Sequence, residues 1–221
     1  MKRIIFSLSL VLMVAGCGGG GGGSGSGFVL APSAVSNVTS DVKPVATEQP
    51  PNKERPAPCS VALWGDSIAG LVAGRFARGL DVHSHWVAGS TSGVMLPAYL
   101  QDRLAERFIV IEFGINDANA GQPLEANLRS MLDRAKSMGR TPVLTGLSHA
   151  TTGNIALQIA NNALIVRLAD EYQALYANWP AVQWMPFDLM DDGLHPLPAY
   201  QQRLADAISG AILKVAPECA R

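Results

Sequence analysis

The 221-residue chain is poor in charge and in aromatic side chains: 16% of its residues are Asp, Glu, Lys or Arg, and 6% are Phe, Trp or Tyr. Its 17 basic and 18 acidic residues leave a formal net charge of −1, which offers no basic footprint for nucleic acid. The three cysteines, Cys17, Cys59 and Cys219, are too scattered for a zinc site. Four histidines are too few and too dispersed to suggest a metal centre. His83 and His85 share one strand face, but no third ligand accompanies them. The apolar run from Ile4 to Val14 is too short to span a bilayer. No Gly-x-Ser-x-Gly elbow is present, since Gly65-Asp66-Ser67-Ile68-Ala69 ends in alanine, and no lysine stands three residues after Ser67.

What the chain does have begins at its amino terminus. Lys2-Arg3 followed by the Ile4–Val14 run is a signal-peptide pattern over residues 1–16. It closes in Val14-Ala15-Gly16-Cys17, which resembles the bacterial lipoprotein cleavage box and implies that Cys17 is lipidated. Acyl chains on Cys17 would anchor the protein without any spanning helix. Gly18 stands where lipoproteins retained in the inner membrane often carry Asp, so in a Gram-negative host the expected destination is the periplasmic face of the outer membrane. Residues 18–27 are almost pure Gly and Ser, and 28–58 are rich in Pro, Ser, Val and Thr. The stretch reads as a flexible tether that holds the following domain roughly 35 Å from the lipid.

From Cys59 to Arg221 strand-like and helical patterns alternate. Strands are expected at 60–64, 81–87, 108–113, 141–147 and 182–185, with helices at 67–79, 97–107, 123–138, 154–178 and 198–215. Such alternation implies parallel strands joined by right-handed crossovers, hence a three-layer α/β/α sandwich. Cys59 precedes the first strand and Cys219 follows the last helix, so both fall at the amino-end face of the sheet. A Cys59–Cys219 disulfide is expected there in an oxidising compartment.

Four stretches fall instead at the carboxyl ends of strands, where open α/β sheets bind ligands. They are Trp64-Gly65-Asp66-Ser67, Gly89-Ser90-Thr91-Ser92-Gly93, Gly114-Ile115-Asn116-Asp117 and Asp191-Asp192-Gly193-Leu194-His195-Pro196. Singly each is a common turn or cap. Together they gather a hydroxyl, an amide, a carboxylate and an imidazole, the parts needed for nucleophilic acyl transfer. In order and spacing they resemble the four signature blocks of the SGNH (GDSL) hydrolases, over the whole of 59–221. The resemblance implies a flavodoxin-like five-stranded parallel sheet of order 2-1-3-4-5. It implies Ser67 as nucleophile, His195 as general base and Asp192 as the acid that orients the imidazole. It implies an oxyanion hole made by the Ser67 N–H, the Gly93 N–H and the Asn116 amide. Gly89 lies in the same loop as Gly93, but the Ser92-Gly93 pair matches the block better. Asp191 competes with Asp192, and the spacing favours Asp192. Asp66 is expected to accept loop hydrogen bonds, and Asp117 to brace the Asn116 turn. His149, just past the fourth strand, either lines the cleft or lies on the surface.

The expected function is a serine esterase that hydrolyses carboxylic esters of short acyl or O-acetyl groups through an acyl-enzyme on Ser67, with no cofactor and no metal. The domain is close to minimal, with no insertion that would form a lid over a long chain. A thioesterase or lysophospholipase-type activity, acyl transfer to a sugar hydroxyl and a non-catalytic envelope-binding module are the alternatives. The expected partners are a small-molecule, glycan or lipid ester and, through the anchor only, a membrane; no nucleic acid is expected, and the protein is taken as a monomer.

Overall fold

A computed structural model describes residues 55–220. The signal segment, Cys17 and the tether up to residue 54 lie outside the described residues. Strands β1 (Ser60–Gly65), β2 (Asp81–Trp86), β3 (Phe108–Glu112), β4 (Thr141–Thr145) and β5 (Leu175–Ala177) form one parallel sheet in the order β2-β1-β3-β4-β5. Helices α1 (Ser67–Val72), α2 (Ser92–Gln101), α3 (Ile115–Ala120), α4 (Glu125–Ser137), α5 (Ile155–Tyr172) and α6 (Pro198–Leu213) make the crossovers and cover the sheet. The expected α/β sandwich and strand order are both present. Among the described residues no helix is long and apolar enough to cross a membrane.

Burial follows sequence closely in the middle of the sheet. Every residue of β1 and β3 is buried, as continuous apolar runs in a sheet covered on both faces must be. Strand β2, Asp-Val-His-Ser-His-Trp, is a polar edge with no fully buried position, a composition that discourages pairing with another chain. Helix α4 turns Leu128, Met131, Leu132 and Ala135 inward along one face.

Several boundaries differ from expectation. Helix α5 stops at Tyr172 rather than running to residue 178, because Gln173 adopts a left-handed conformation (φ 49°) that caps the helix. Leu175–Ala177 then pairs with β4 as the fifth strand, displacing the expected strand at 182–185. The later segment follows a 3-10 turn at Trp179–Ala181, where Trp179 is fully buried and donates its indole N–H to the Leu204 carbonyl at 2.9 Å. Helix α1 ends at Val72 and passes into a 3-10 turn at Ala73–Arg75. Helix α2 begins at Ser92, five residues before the expected start at Pro97, and retains Pro97 inside it. Its first residue is held by Asp117, which accepts from both the backbone N–H and the hydroxyl of Ser92. Residues 115–120, read as a turn, are instead the short helix α3.

At the amino end of the sheet Cys59 and Cys219 form the expected disulfide, with Cα atoms 5.5 Å apart across a sequence separation of 160 residues. Cys219 reaches it from a 3-10 turn at Pro217–Cys219 rather than from α6 itself. A cross-link spanning so long a loop restricts the unfolded chain strongly. Urea unfolding of Cys59→Ala/Cys219→Ala should show a loss of about 2–5 kcal/mol relative to the oxidised protein. An unchanged midpoint would mean that the bridge adds nothing to stability.

Candidate active site

The carboxyl ends of β1, β2 and β3 come level at Gly65, whose register partners are Trp86 on one side and Glu112 on the other. Beyond Gly65 the chain turns sharply into α1. Asp66 is the N-cap: its Oδ1 accepts the Ile68 backbone N–H at 2.8 Å. Ser67 is therefore the first helical residue, half-buried, with its side chain free to face the next loop. Helix α1 has only six residues, so the local N–H groups matter here more than a summed dipole.

Ser67 Oγ lies 2.8 Å from His195 Nε2, and His195 Nδ1 lies 2.6 Å from Asp192 Oδ2. The hydrogen-bonding pattern assigns the ring proton to Nδ1, leaving Nε2 to accept from the serine hydroxyl. The second Asp192 oxygen accepts the backbone N–H groups of Leu194 at 2.9 Å and His195 at 3.0 Å. The imidazole bond, with the His195 N–H next, draws the Asp192 carboxyl down to about 2, so it stays ionised at neutral pH. The carrying loop is closed by backbone bonds, Met190 N–H to the His195 carbonyl at 2.8 Å and Leu197 N–H to the Asp188 carbonyl at 2.7 Å. Asp188 is in turn paired with Arg203 on α6 at 2.7 Å. Asp191 is exposed and makes no contact with the imidazole, so the structure brings Asp192 and not Asp191 to His195.

Asn116, on the first turn of α3, donates its amide to Asp66 Oδ2 at 2.6 Å and to the Ser90 carbonyl at 3.2 Å. The loop after β2 is thereby drawn against Asn116 through Ser90, next to Gly89, which has φ 71°. Gly93 lies elsewhere: it sits in the first turn of α2, where an added Cβ would meet the Asn127 amide at 3.3 Å. Of the two loop glycines, Gly89 is the neighbour of the residue that holds Asn116. Asp117 does not face Ser67, and its bonds to Ser92 tie α3 to the start of α2.

Two buried carboxyls underlie this arrangement. Asp66 is 0% exposed and Glu112 is 1% exposed, and the Asp66 backbone N–H donates to Glu112 Oε2 at 3.2 Å. Burial raises Asp66 to about 6, against the opposing pull of the Ile68 N–H. Burial, followed by the nearby Asp66 charge, pushes Glu112 well above the ordinary carboxyl range. Glu112 was not singled out in the sequence; the signal available was a lone acid ending the otherwise apolar run Phe108-Ile109-Val110-Ile111.

An apolar cleft of about 420 Å³ opens beside Ser67 and His195, walled by Gly70, Leu71, Trp86 and Met190. Gly70 makes the wall possible, because a Cβ there would come within 2.5 Å of the Trp86 indole. A larger hollow of about 760 Å³, among Ser60, Asp81, His83 and Arg134, lies at the opposite end of the sheet from the serine. The remaining histidines are engaged elsewhere. His83 bonds Glu106 at 2.8 Å, His85 stacks on Trp64 at 4.3 Å, and His149 stacks on Trp184 at 4.6 Å and bonds the Pro180 carbonyl at 2.9 Å. His149 does not wall the cleft. Among the described residues no group of three acidic, histidine or cysteine side chains is placed to hold a metal.

Residues 56–203 match the profile of the GDSL-like lipase/acylhydrolase family. The chain belongs to that family. Residues 1–17 match the prokaryotic membrane lipoprotein lipid attachment site, which makes it a lipid-anchored protein of the cell envelope. A comparison with curated proteins finds no match. Among solved structures, TesA is 23% identical over 71% of this chain and 99% of its own, with a TM-score of 0.58. A GDSL-like lipase from Bacteroides thetaiotaomicron is 22% identical over 72% of this chain and 89% of its own, with a TM-score of 0.61. Axe2, an acetylxylan esterase from Geobacillus stearothermophilus, is 18% identical over 69% of this chain and 93% of its own, with a TM-score of 0.55. At these identities the likeness establishes a shared fold.

The raised Glu112 carboxyl carries a consequence for stability. Such a group binds its proton more tightly folded than unfolded, so its contribution to folding is full below the ordinary carboxyl range and is lost as pH rises through the folded value. Glu112→Gln removes the titration. The wild-type Tm should therefore fall relative to the Glu112→Gln Tm as pH rises above the ordinary carboxyl range, and a pH-independent difference would contradict the assignment.

Proposed function

We propose that the protein is a serine esterase that transfers the acyl group of a carboxylic ester to Ser67 and then to water. The observation that carries this reading is the unbroken relay of Ser67, His195 and Asp192 opening directly onto an apolar cleft. Ser67 Oγ attacks the acyl carbonyl carbon while His195 Nε2 takes its proton. The collapsing tetrahedral species expels the alcohol, which receives that proton from His195. Water, deprotonated by the same nitrogen, then attacks the acyl-enzyme and releases the acid. Asp192 balances the imidazolium charge in both halves of the cycle.

The anionic oxygen needs fixed donors. In this reading they are the Ser67 backbone N–H, the Asn116 amide and the Gly89 N–H, with Gly89 replacing Gly93. The support for Gly89 is its place beside Ser90, against the helical setting of Gly93 next to Asn127. Asn116 reaches the oxygen by exchanging its longer bond, the one to Ser90, while keeping its bond to Asp66.

A short acyl group suits the small cleft, and an O-acetyl group on an envelope or extracellular glycan is the substrate class this favours. The reading includes a lipid on Cys17, residues 18–58 as a tether, and an outer-membrane, periplasm-facing position. One feature supports longer acyl chains or thioesters instead. Trp86, Val87, Met190 and Leu197 form an exposed apolar rim, with Trp86 itself 47% exposed.

Turnover of p-nitrophenyl acetate, butyrate and octanoate by the full chain in detergent separates these substrates. The expected result is activity that falls with chain length, vanishes in Ser67→Ala, and drops about 10²–10³-fold in kcat in Asn116→Ala. A preference for octanoate would transfer the assignment to lipid or thioester substrates. Turnover that survives Ser67→Ala would overturn the mechanism.

A further inference from the structure

Glu112 takes no part in the relay from Ser67 to Asp192 and does not wall the cleft. Yet the space around it is shaped for a carboxyl. Gly65 lies opposite it in the β1–β3 register, and a Cβ on Gly65 would come within 2.6 Å of Glu112 Oε2 and 2.8 Å of the Glu112 carbonyl. The glycine that opens the Gly65-Asp66-Ser67 turn is thus what lets the Glu112 side chain pass beneath it. There Glu112 Oε2 accepts the Asp66 backbone N–H at 3.2 Å, which sets its carboxyl close to that of Asp66.

Two carboxyls packed together out of reach of water do not both ionise, so the pair holds one proton and one negative charge. Asp66 faces the donors that reward a charge: the Ile68 N–H, the Asn116 amide and, at longer range, His195; Asp117 opposes it. Glu112 is the more deeply desolvated partner and lies against the Asp66 charge. The proton accordingly sits on Glu112, with its O–H directed at Asp66.

We propose that Glu112 is a positioning residue for acyl transfer, acting as the hydrogen-bond donor that fixes Asp66 and, through Asp66, both the start of the nucleophile helix and the Asn116 amide. This rests on the reading of Ser67 and Asn116 given above. Asp66 links the two: one oxygen caps α1 at Ile68, the other holds Asn116. A carboxylate free to turn in its pocket would let the nucleophile and the oxyanion donor drift separately. The result is a lower rate with substrate binding nearly intact, because no atom of the pair touches the cleft.

The test compares the full chain in detergent with Glu112→Gln and Glu112→Met, measuring kcat and KM for p-nitrophenyl acetate, the rate of fluorophosphonate labelling, and Tm. Glutamine keeps an N–H donor for Asp66, whereas methionine fills the space without one. Glu112→Met should lower kcat and the labelling rate about 10²-fold with KM changed less than about threefold, and Glu112→Gln should recover about tenfold or more of that loss. If Glu112→Met does not fold, Glu112→Asp, which withdraws the acid by one methylene, takes its place with the same expectation. A folded Glu112→Met with wild-type kcat, or a folded Glu112→Gln no better than Glu112→Met, overturns the proposal alone. A wild type with no Ser67-dependent turnover overturns the underlying reading, and this inference with it.

Discussion

Asp66 is wholly buried, yet it is the point at which three separate parts of the site are tied together. Its two oxygens hold the first turn of α1 and the Asn116 amide on α3, while its own N–H is held by Glu112 at the end of β3. A charge in that position is costly unless every lone pair finds a donor. The surrounding sequence meets that demand with the Asn116 amide and the Ile68 N–H and, in the proposal above, with the Glu112 acid. The glycine before Asp66 is required by the same constraint, since it opens the space that Glu112 occupies. Ser67 then inherits its place from a polar cluster beneath it rather than from the loop that carries the histidine.

The histidine arrives independently. Its loop is fastened by backbone bonds within residues 188–197 and by the Asp188–Arg203 ion pair to α6. Asp192 spends one oxygen on that loop's own N–H groups and the other on the imidazole. The same carboxylate therefore shapes the turn and orients the imidazole, which explains why the two residues can sit only three apart. The disulfide acts at the far end of the sheet, joining the chain just before β1 to the turn after α6. Stability and chemistry are thus placed at opposite faces, as open α/β sheets allow.

Much of this was legible in the sequence where the signals are local. The runs of β1 and β3 stand out as apolar strands, and the turn chemistry after each strand named Ser67, Asn116, Asp192 and His195 as neighbours. What local pattern did not carry was decided by tertiary contacts. Leu175-Tyr176-Ala177 continues the apolar period of α5, and only the left-handed Gln173 and pairing with β4 make it a strand. Ser92 reads as loop until Asp117 supplies the bonds that start α2 there, and that shift moves Gly93 into a helix and leaves Gly89 next to Ser90, whose carbonyl holds Asn116. Glu112 looks like the polar end of a strand. Its partnership with Asp66, 46 residues away, is a product of the β1–β3 register and has no footprint in either segment alone.

The central claim is that Ser67 is an activated nucleophile, and covalent capture tests it most directly. The full chain in detergent, treated with a fluorophosphonate and digested, should yield one phosphonylated peptide carrying the adduct on Ser67. Ser67→Ala should remain unlabelled, and His195→Ala should label far more slowly. An adduct on another residue, or none on a folded wild-type protein, would contradict the account.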